Sequence, residues 1–253
     1  MTVRTEIADR IARVTLDNPP VNALTLALYE ELGTVVEAAA ERDEVNVVLL
    51  TGAGRRAFCA GLDLREFLAA SVEDDAARAA VVRRCFARIR HAAVPVIAAV
   101  NGPALGAGAV VASVCDIRLA ADHATFGMPE IDVGRCGGAA HLGRHFPPGV
   151  LRRMAFTGQP IGAAEALHHG FVSEVVPFER LAERARALAS VIAGKAPLGL
   201  RLGKKSIDEI EFLPVEAGYE IEQGYSTRLM ATADAREAAR AIVEKRKPVF
   251  VGR

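Results

Sequence analysis

PVIAAVNGPALGAGAVVASVCD, Pro95 to Asp116, is the stretch around which the chain is organised. Val96 to Val100 are apolar without interruption, which predicts a strand buried on both faces. Asn101, Gly102 and Pro103 break that strand at once. From Leu105 small and aliphatic residues run on to Ser113, long enough for a buried helix rather than a second strand. That helix opens at Gly106-Ala107-Gly108, where unpaired N–H groups crowd the positive end of the macrodipole and small residues let a ligand approach the main chain. An anion, or an oxygen becoming one, is the expected guest. GAGAVVA does not put GxGxxG in register, and no ribose-binding acid ends a following strand, which argues against a dinucleotide site.

Working outward, Glu6 to Asp9 and Ile11 to Leu16 predict a hairpin around Asp9-Arg10. Asn22 is placed as the N-cap of a helix reaching about Arg42, with Leu24, Leu28, Leu32, Val35 and Val36 on one face. Val45 to Thr51 is a second buried strand, so strand, helix and strand give a parallel α/β signature. Ala60 and Gly61 precede Leu62-Asp63-Leu64-Arg65-Glu66-Phe67, a short helix start that offers a further backbone donor at Leu62. Glu73 to Arg90 is read as a helix with Val81, Cys85 and Ile89 inward and its charges on a solvated face.

Beyond the organising helix, Cys115 to Ala120 and Ala124 to Gly127 are strand candidates. Glu130 follows a proline between apolar neighbours, and from local sequence it is either a carboxylate tied to backbone or arginine, or an acid/base. Gly134, Gly137, Gly138 and Gly143 mark a loop. Gln159 to Pro177 reads as a short helix and strand, Phe178 to Ala193 as an amphipathic helix, and everything from Pro197 as helical with breaks near Gly203, Pro214 and Gly224. The expected division is an α/β core over residues 1–195 and a helical region over 196–253, suited to oligomerisation or lidding.

Composition narrows the function. At 253 residues and 51% hydrophobic content the chain has ample material for a core. Lys and Arg total 31, as do Asp and Glu, so no global field favours nucleic acid or an anionic membrane. No apolar run reaches the ~20 residues of a membrane span, and a cytoplasmic protein is expected. Cys59, Cys85, Cys115 and Cys136 show no metal-binding spacing and are read as buried free thiols.

Six segments in order resemble the crotonase superfamily, the enoyl-CoA hydratase/isomerase family: PPVNAL at Pro19, RAFCAGLDLREF at Arg56, PVIAAVNGPALGAG at Pro95, CDIRLAADHATFGMPEI at Cys115, FTGQPIGAAEALHHGFVSEVVP at Phe156 and EKRKPVF at Glu244. The resemblance implies an α/β fold, a spiral of ββα units followed by helices used for assembly, as a homotrimer or dimer of trimers. It implies an acyl-CoA thioester as substrate, coenzyme A entering only as part of it, with no metal or redox cofactor. Leu62 and Ala107 match the positions whose N–H groups hold the thioester oxygen, and Glu130 matches a catalytic glutamate. Ala23, Leu24, Ala60, Gly61, Asp63, Gly106, Val110 and Gly138 fall where substrate or coenzyme A is held.

Two departures from the family pattern bear on the reaction. Hydratases of the family usually carry a glutamate four residues after the first glycine of LGxG, and here that residue is Val110. A single glutamate suffices to move a double bond, because one base can take a proton and return it at another carbon; water addition ordinarily uses two groups. The loop VGRCGGAAHLGR is also shorter than the usual glycine-rich segment and brings Arg135, Cys136 and His141. Isomerase-like chemistry is therefore favoured, with two alternatives open: a hydratase in which His141 or Asp132 substitutes for the missing glutamate, and an acyl-CoA-binding paralogue impaired in catalysis.

Overall fold

The computed structural model describes residues 2–252. β1 (Thr2–Ala8) and β2 (Ile11–Asp17) form an antiparallel hairpin. Asp9 and Arg10 at its tip have φ of 55° and 62°, the two-residue turn whose twist matches that of the flanking strands. α1 (Leu26–Glu41) is capped by Thr25, whose Oγ1 accepts from the Leu28 N–H at 3.2 Å. The cap expected at Asn22 is thus displaced by three residues. Asn22 instead lies at φ 56° and spends its buried amide on the carbonyls of Ala53 and Ala57, at 3.0 and 2.9 Å. Tertiary demand for a donor has overridden a local capping preference.

β3 (Val47–Gly52) pairs parallel to β2. α2 (Leu64–Ala69) follows, capped by the Asp63 carboxylate, which accepts from the N–H groups of Arg65 and Glu66. α3 (Asp75–Arg90) then leads to β4 (Val96–Val100). Next come β5 (Ala104–Leu105), α4 (Ala107–Val114), β6 (Ile117–Ala121), β7 (Thr125–Gly127) and a 3₁₀ turn over Pro129–Val133. The expected loop at 134–143 contains a single helical turn, α5 (Ala139–Leu142). α6 (Pro148–Thr157) and β8 (Ile161–Gly162), neither singled out by the sequence, precede α7 (Ala163–His168), β9 (Glu174–Val176) and α8 (Phe178–Ala193).

The strands form a six-stranded sheet ordered β1-β2-β3-β4-β6-β9, parallel after the first hairpin, and a three-stranded sheet ordered β5-β7-β8. In β4 every side chain is buried, as an uninterrupted apolar strand requires. Its alternate residues serve different layers. Ile97 and Ala99 join Val47, Leu49 and Leu119 beneath Leu181, Ala185 and Ala189 of α8. Val96, Ala98 and Val100 face the opposite core with Leu28, Leu32 and Ile89, contributed by α1 and α3. Each large side chain buried this way contributes about 1.5–3 kcal/mol.

The C-terminal helices are α9 (Pro197–Ile210), α10 (Val215–Met230) and α11 (Ala233–Val243). α9 and α10 continue through Gly203 and Gly224, where breaks were expected. Isolated helical glycines cost only ~1 kcal/mol each and are tolerated; the breaks come at Pro214 and at the Thr232 cap. α9 is tied to the core by the buried Lys204, whose Nζ lies 2.7 Å from both carboxylate oxygens of Asp116, while Asp116 also accepts from the Val96 N–H at the start of β4. The described helices include none long and apolar enough to cross a membrane.

Candidate active site

The segment from Cys59 to Gly61 runs beside Ala104 to Ala107, joined by the Leu105 N–H donating to the Cys59 carbonyl at 3.0 Å. The approach is close enough to require glycine. A Cβ on Gly108 would stand 2.0 Å from the Cys59 carbonyl oxygen, and one on Gly61, at φ 89°, 2.7 Å from that of Leu105. Leu62 bridges Leu24 in parallel, with the bonds made by its neighbours: Leu24 N–H to Gly61 carbonyl at 2.7 Å and Asp63 N–H to Leu24 carbonyl at 3.0 Å. The Leu62 N–H is therefore directed away from Leu24. Ala107 is the first residue of α4, where an N–H has no acceptor within the helix. Neither donor has a partner among the described residues.

Glu130 stands over this pair from the 3₁₀ turn, held by the Arg135 N–H donating to its carbonyl at 2.9 Å. Its Oε1 is 3.0 Å from where a Gly106 Cβ would sit, and its Oε2 is buried without a partner. Burial pushes the carboxyl above its ordinary range, opposed only by a bond to its own backbone. No arginine engages it, so the structure removes the ion-paired reading that the local sequence left open.

A cavity of about 470 Å³ joins these groups. Of the residues singled out by sequence, Ala60, Gly61, Leu62, Gly106, Ala107, Val110, Glu130 and Gly138 line it. Ala23, Leu24 and Asp63 do not. Ala23 gives its carbonyl to the Asn18 side chain, Leu24 is fully buried in the bridge to Leu62, and Asp63 caps α2. Val110 is buried, and its Cγ2 would touch a Gly138 Cβ at 3.0 Å, so the wall there is apolar and close. Asp132 reaches the cavity, with its carboxylate packed against Gly158. His141 lies outside the lining, its ring edge-on to Phe86 at 5.4 Å, and burial lowers its pKa.

Several lining residues had no signal in the local sequence: Tyr29 from α1, Phe67 from α2, and Arg78, Val82, Arg83 and Phe86 from α3. The charges of α3 are correspondingly more than a solvated face. Asp75 pairs with Arg135 at 3.1 Å and Arg78 with Glu66 at 3.2 Å across the cavity rim. Cys136 is exposed and lines the cavity, unlike Cys59, Cys85 and Cys115, whose thiols burial pushes up to about 12. A larger cleft of about 620 Å³ lies elsewhere, between α8 and the sheet. It contains neither the paired donors nor Glu130, so its size does not make it the reactive site.

A cavity that joins two free backbone donors to a desolvated carboxylate suits a carbonyl whose oxygen gains negative charge. The sequence profile described as Enoyl-CoA hydratase/isomerase matches residues 6–253. The chain belongs to the enoyl-CoA hydratase/isomerase family. It is 37% identical over 243 residues to the (7aS)-7a-methyl-1,5-dioxo-2,3,5,6,7,7a-hexahydro-1H-indene-carboxyl-CoA hydrolase of Rhodococcus jostii (strain RHA1), covering 95% of this chain and 93% of the relative. To the 2,3-dehydroadipyl-CoA hydratase of Escherichia coli (strain K12) it is 37% identical over 252 residues, 96% of each chain. The crystal structure of an enoyl-CoA hydratase from Bacillus anthracis superposes with a TM-score of 0.95 at 33% identity, covering 100% of both chains. The fold is that of the crotonase superfamily, and this family member is an enzyme acting on CoA thioesters.

Proposed function

We propose that the protein transfers a proton at the α carbon of an acyl-CoA thioester, with Glu130 as the sole carboxylate acid/base and the N–H groups of Leu62 and Ala107 as the oxyanion hole. Removing the α proton places charge on the thioester oxygen, where each preorganised donor contributes ~3 kcal/mol to the transition state. Glu130 then returns the proton at the α or γ carbon, an isomerase-like reaction that calls for no metal or redox cofactor. Coenzyme A enters as part of the substrate, along the turn at Ala23 and the segment from Ala60 to Asp63.

The observation that carries this reading is the contrast between Glu130 and Val110: a desolvated carboxylate without a partner faces a cavity whose other wall is apolar where family hydratases hold a second glutamate. Water is poorly held against such a wall. Val110→Glu is expected to raise enoyl-CoA hydration relative to α-proton exchange by at least ~10-fold, since general acid/base groups contribute ~100- to 10,000-fold when well placed. Folded Val110→Glu protein with an unchanged ratio contradicts the assignment.

One observation favours a second reading, addition of water: Asp132 lines the same cavity two residues after Glu130 in the 3₁₀ turn. Efficient hydration by the unmodified protein, lost in Asp132→Asn, would establish it. His141 is the weaker substitute, being outside the lining. Acyl-CoA binding without turnover of enoyl, 3-hydroxyacyl and 3-oxoacyl esters would instead identify an impaired paralogue.

The division into a core over 1–195 and an assembly or lid region over 196–253 belongs to the same proposal, as do a cytoplasmic location and a homotrimer or dimer of trimers. Ile207, Phe212 and Val215 are 64%, 70% and 81% exposed in the single chain, an apolar surface suited to burial between subunits. Ile210 is half-buried against Gly218 of α10. Sedimentation is expected to show trimers or hexamers; a fully active monomer at nanomolar concentration overturns this part.

A further inference from the structure

Two polar groups lining the cavity lack a hydrogen-bond partner among the described residues: Oε2 of Glu130, which is buried, and the hydroxyl of Tyr29, whose residue is otherwise buried. Tyr29 belongs to the inward face of α1 with Leu28 and Leu32 and is only 2% exposed. Its ring meets Phe86 edge-on, with centroids 6.0 Å apart at 74°, and it lines the cavity with Leu26, Val82 and Val110. The rim charges satisfy one another, Asp75 with Arg135 and Arg78 with Glu66, and offer the phenol nothing.

A phenylalanine would fill the same space without cost, whereas a hydroxyl that meets only the cavity is left unpaired whenever an apolar chain displaces water from it. The hydroxyl is thus best explained by something that enters the cavity. Burial, and the nearby Cys59, Cys85 and Glu130, hold the phenol well above its ordinary range, so it stays protonated and acts as a donor. Its complement is an acceptor oxygen on the acyl chain, distinct from the thioester oxygen that the backbone donors take.

We propose that Tyr29 is a specificity-determining residue whose hydroxyl donates to a hydroxyl or keto oxygen on the acyl chain, so that the preferred substrates are oxygenated acyl-CoA esters. The inference rests on the acyl-CoA reading of the cavity but not on the identity of the base. A site built to hydrogen-bond a substrate oxygen disfavours the analogue lacking it, because the buried donor is then left unpaired.

The test is a binding measurement in which no turnover is needed. Dissociation constants for hexanoyl-CoA, 3-hydroxyhexanoyl-CoA and 5-oxohexanoyl-CoA are compared by calorimetry for Glu130→Gln and for the double variant Glu130→Gln/Tyr29→Phe, with folding checked by circular dichroism. At least one oxygenated ester is expected to lose about 10-fold in affinity on removal of the hydroxyl, the scale of one hydrogen bond, while hexanoyl-CoA binds equally or more tightly. Equal changes for all three esters, or none, overturn the role of Tyr29 and leave the thioester site standing. Failure of every thioester to bind overturns both.

Discussion

The two ends of the cavity are built by different means. At the end where the proposal seats the thioester, the donors are main-chain N–H groups, fixed by two glycine-dependent close approaches and by the start of α4, and hardly any side chain is needed. At the other end, proposed to take the acyl chain, the wall consists of side chains from α1, α2 and α3, with ion pairs at the rim. Backbone donors survive every substitution but proline, so the first end suits what every thioester shares. Side chains can be exchanged singly, so the second suits what distinguishes one acyl group from another. Glu130 and Val110 line the same cavity.

The largest effect should come from breaking the thioester end. Ala107→Pro removes one donor while a proline at the first helical position remains sterically acceptable, so turnover should fall by at least ~100-fold in protein that is still folded. Steady-state kinetics beside a circular dichroism spectrum check this; folded protein of undiminished activity shows that the Ala107 N–H is not a donor.

A smaller effect is expected in the pH profile. In the proposed reaction Glu130 acts as a base when ionised, and burial raises its pKa, so the acidic limb of kcat/KM should lie above the ordinary glutamate range. Stability follows the same linkage with a definite sign. The folded state holds the Glu130 proton more tightly than the unfolded chain, so ionisation weakens the fold as pH rises from the unfolded to the raised value, and above it the penalty is complete. Glu130→Gln should therefore raise Tm by a few degrees at pH 8 and by less at pH 4. A gain that is independent of pH, measured by differential scanning calorimetry, contradicts the raised value.

The same division governs what was legible in the sequence. The helix opening at Gly106-Ala107 was readable because small residues follow a broken strand, whereas the helix start expected at Leu62 falls at Leu64, since Leu62 is held in a bridge to Leu24 that only the fold creates. Phe178–Ala193 was readable to the residue, since Leu181, Ala185 and Ala189 mark its inward face with helical spacing. Tyr29 and Phe86 were not, because on the faces of α1 and α3 they resemble any core position until two helices distant in sequence are packed together. Asn22 misled for a related reason, its side chain being engaged by carbonyls more than thirty residues away. For Glu130 the local sequence left a tied carboxylate and an acid/base open, because its lack of an arginine partner is a property of the folded surroundings.

The central claim, that Glu130 is the acid/base acting on a thioester held by two backbone donors, is tested most directly by α-proton exchange. A saturated acyl-CoA is incubated with the protein in deuterium oxide, and deuterium at its α carbon is followed by mass spectrometry. The unmodified protein should introduce solvent deuterium there, and Glu130→Gln should reduce the rate by at least ~100-fold without loss of acyl-CoA binding. Exchange that persists undiminished in a folded Glu130→Gln protein would contradict the account.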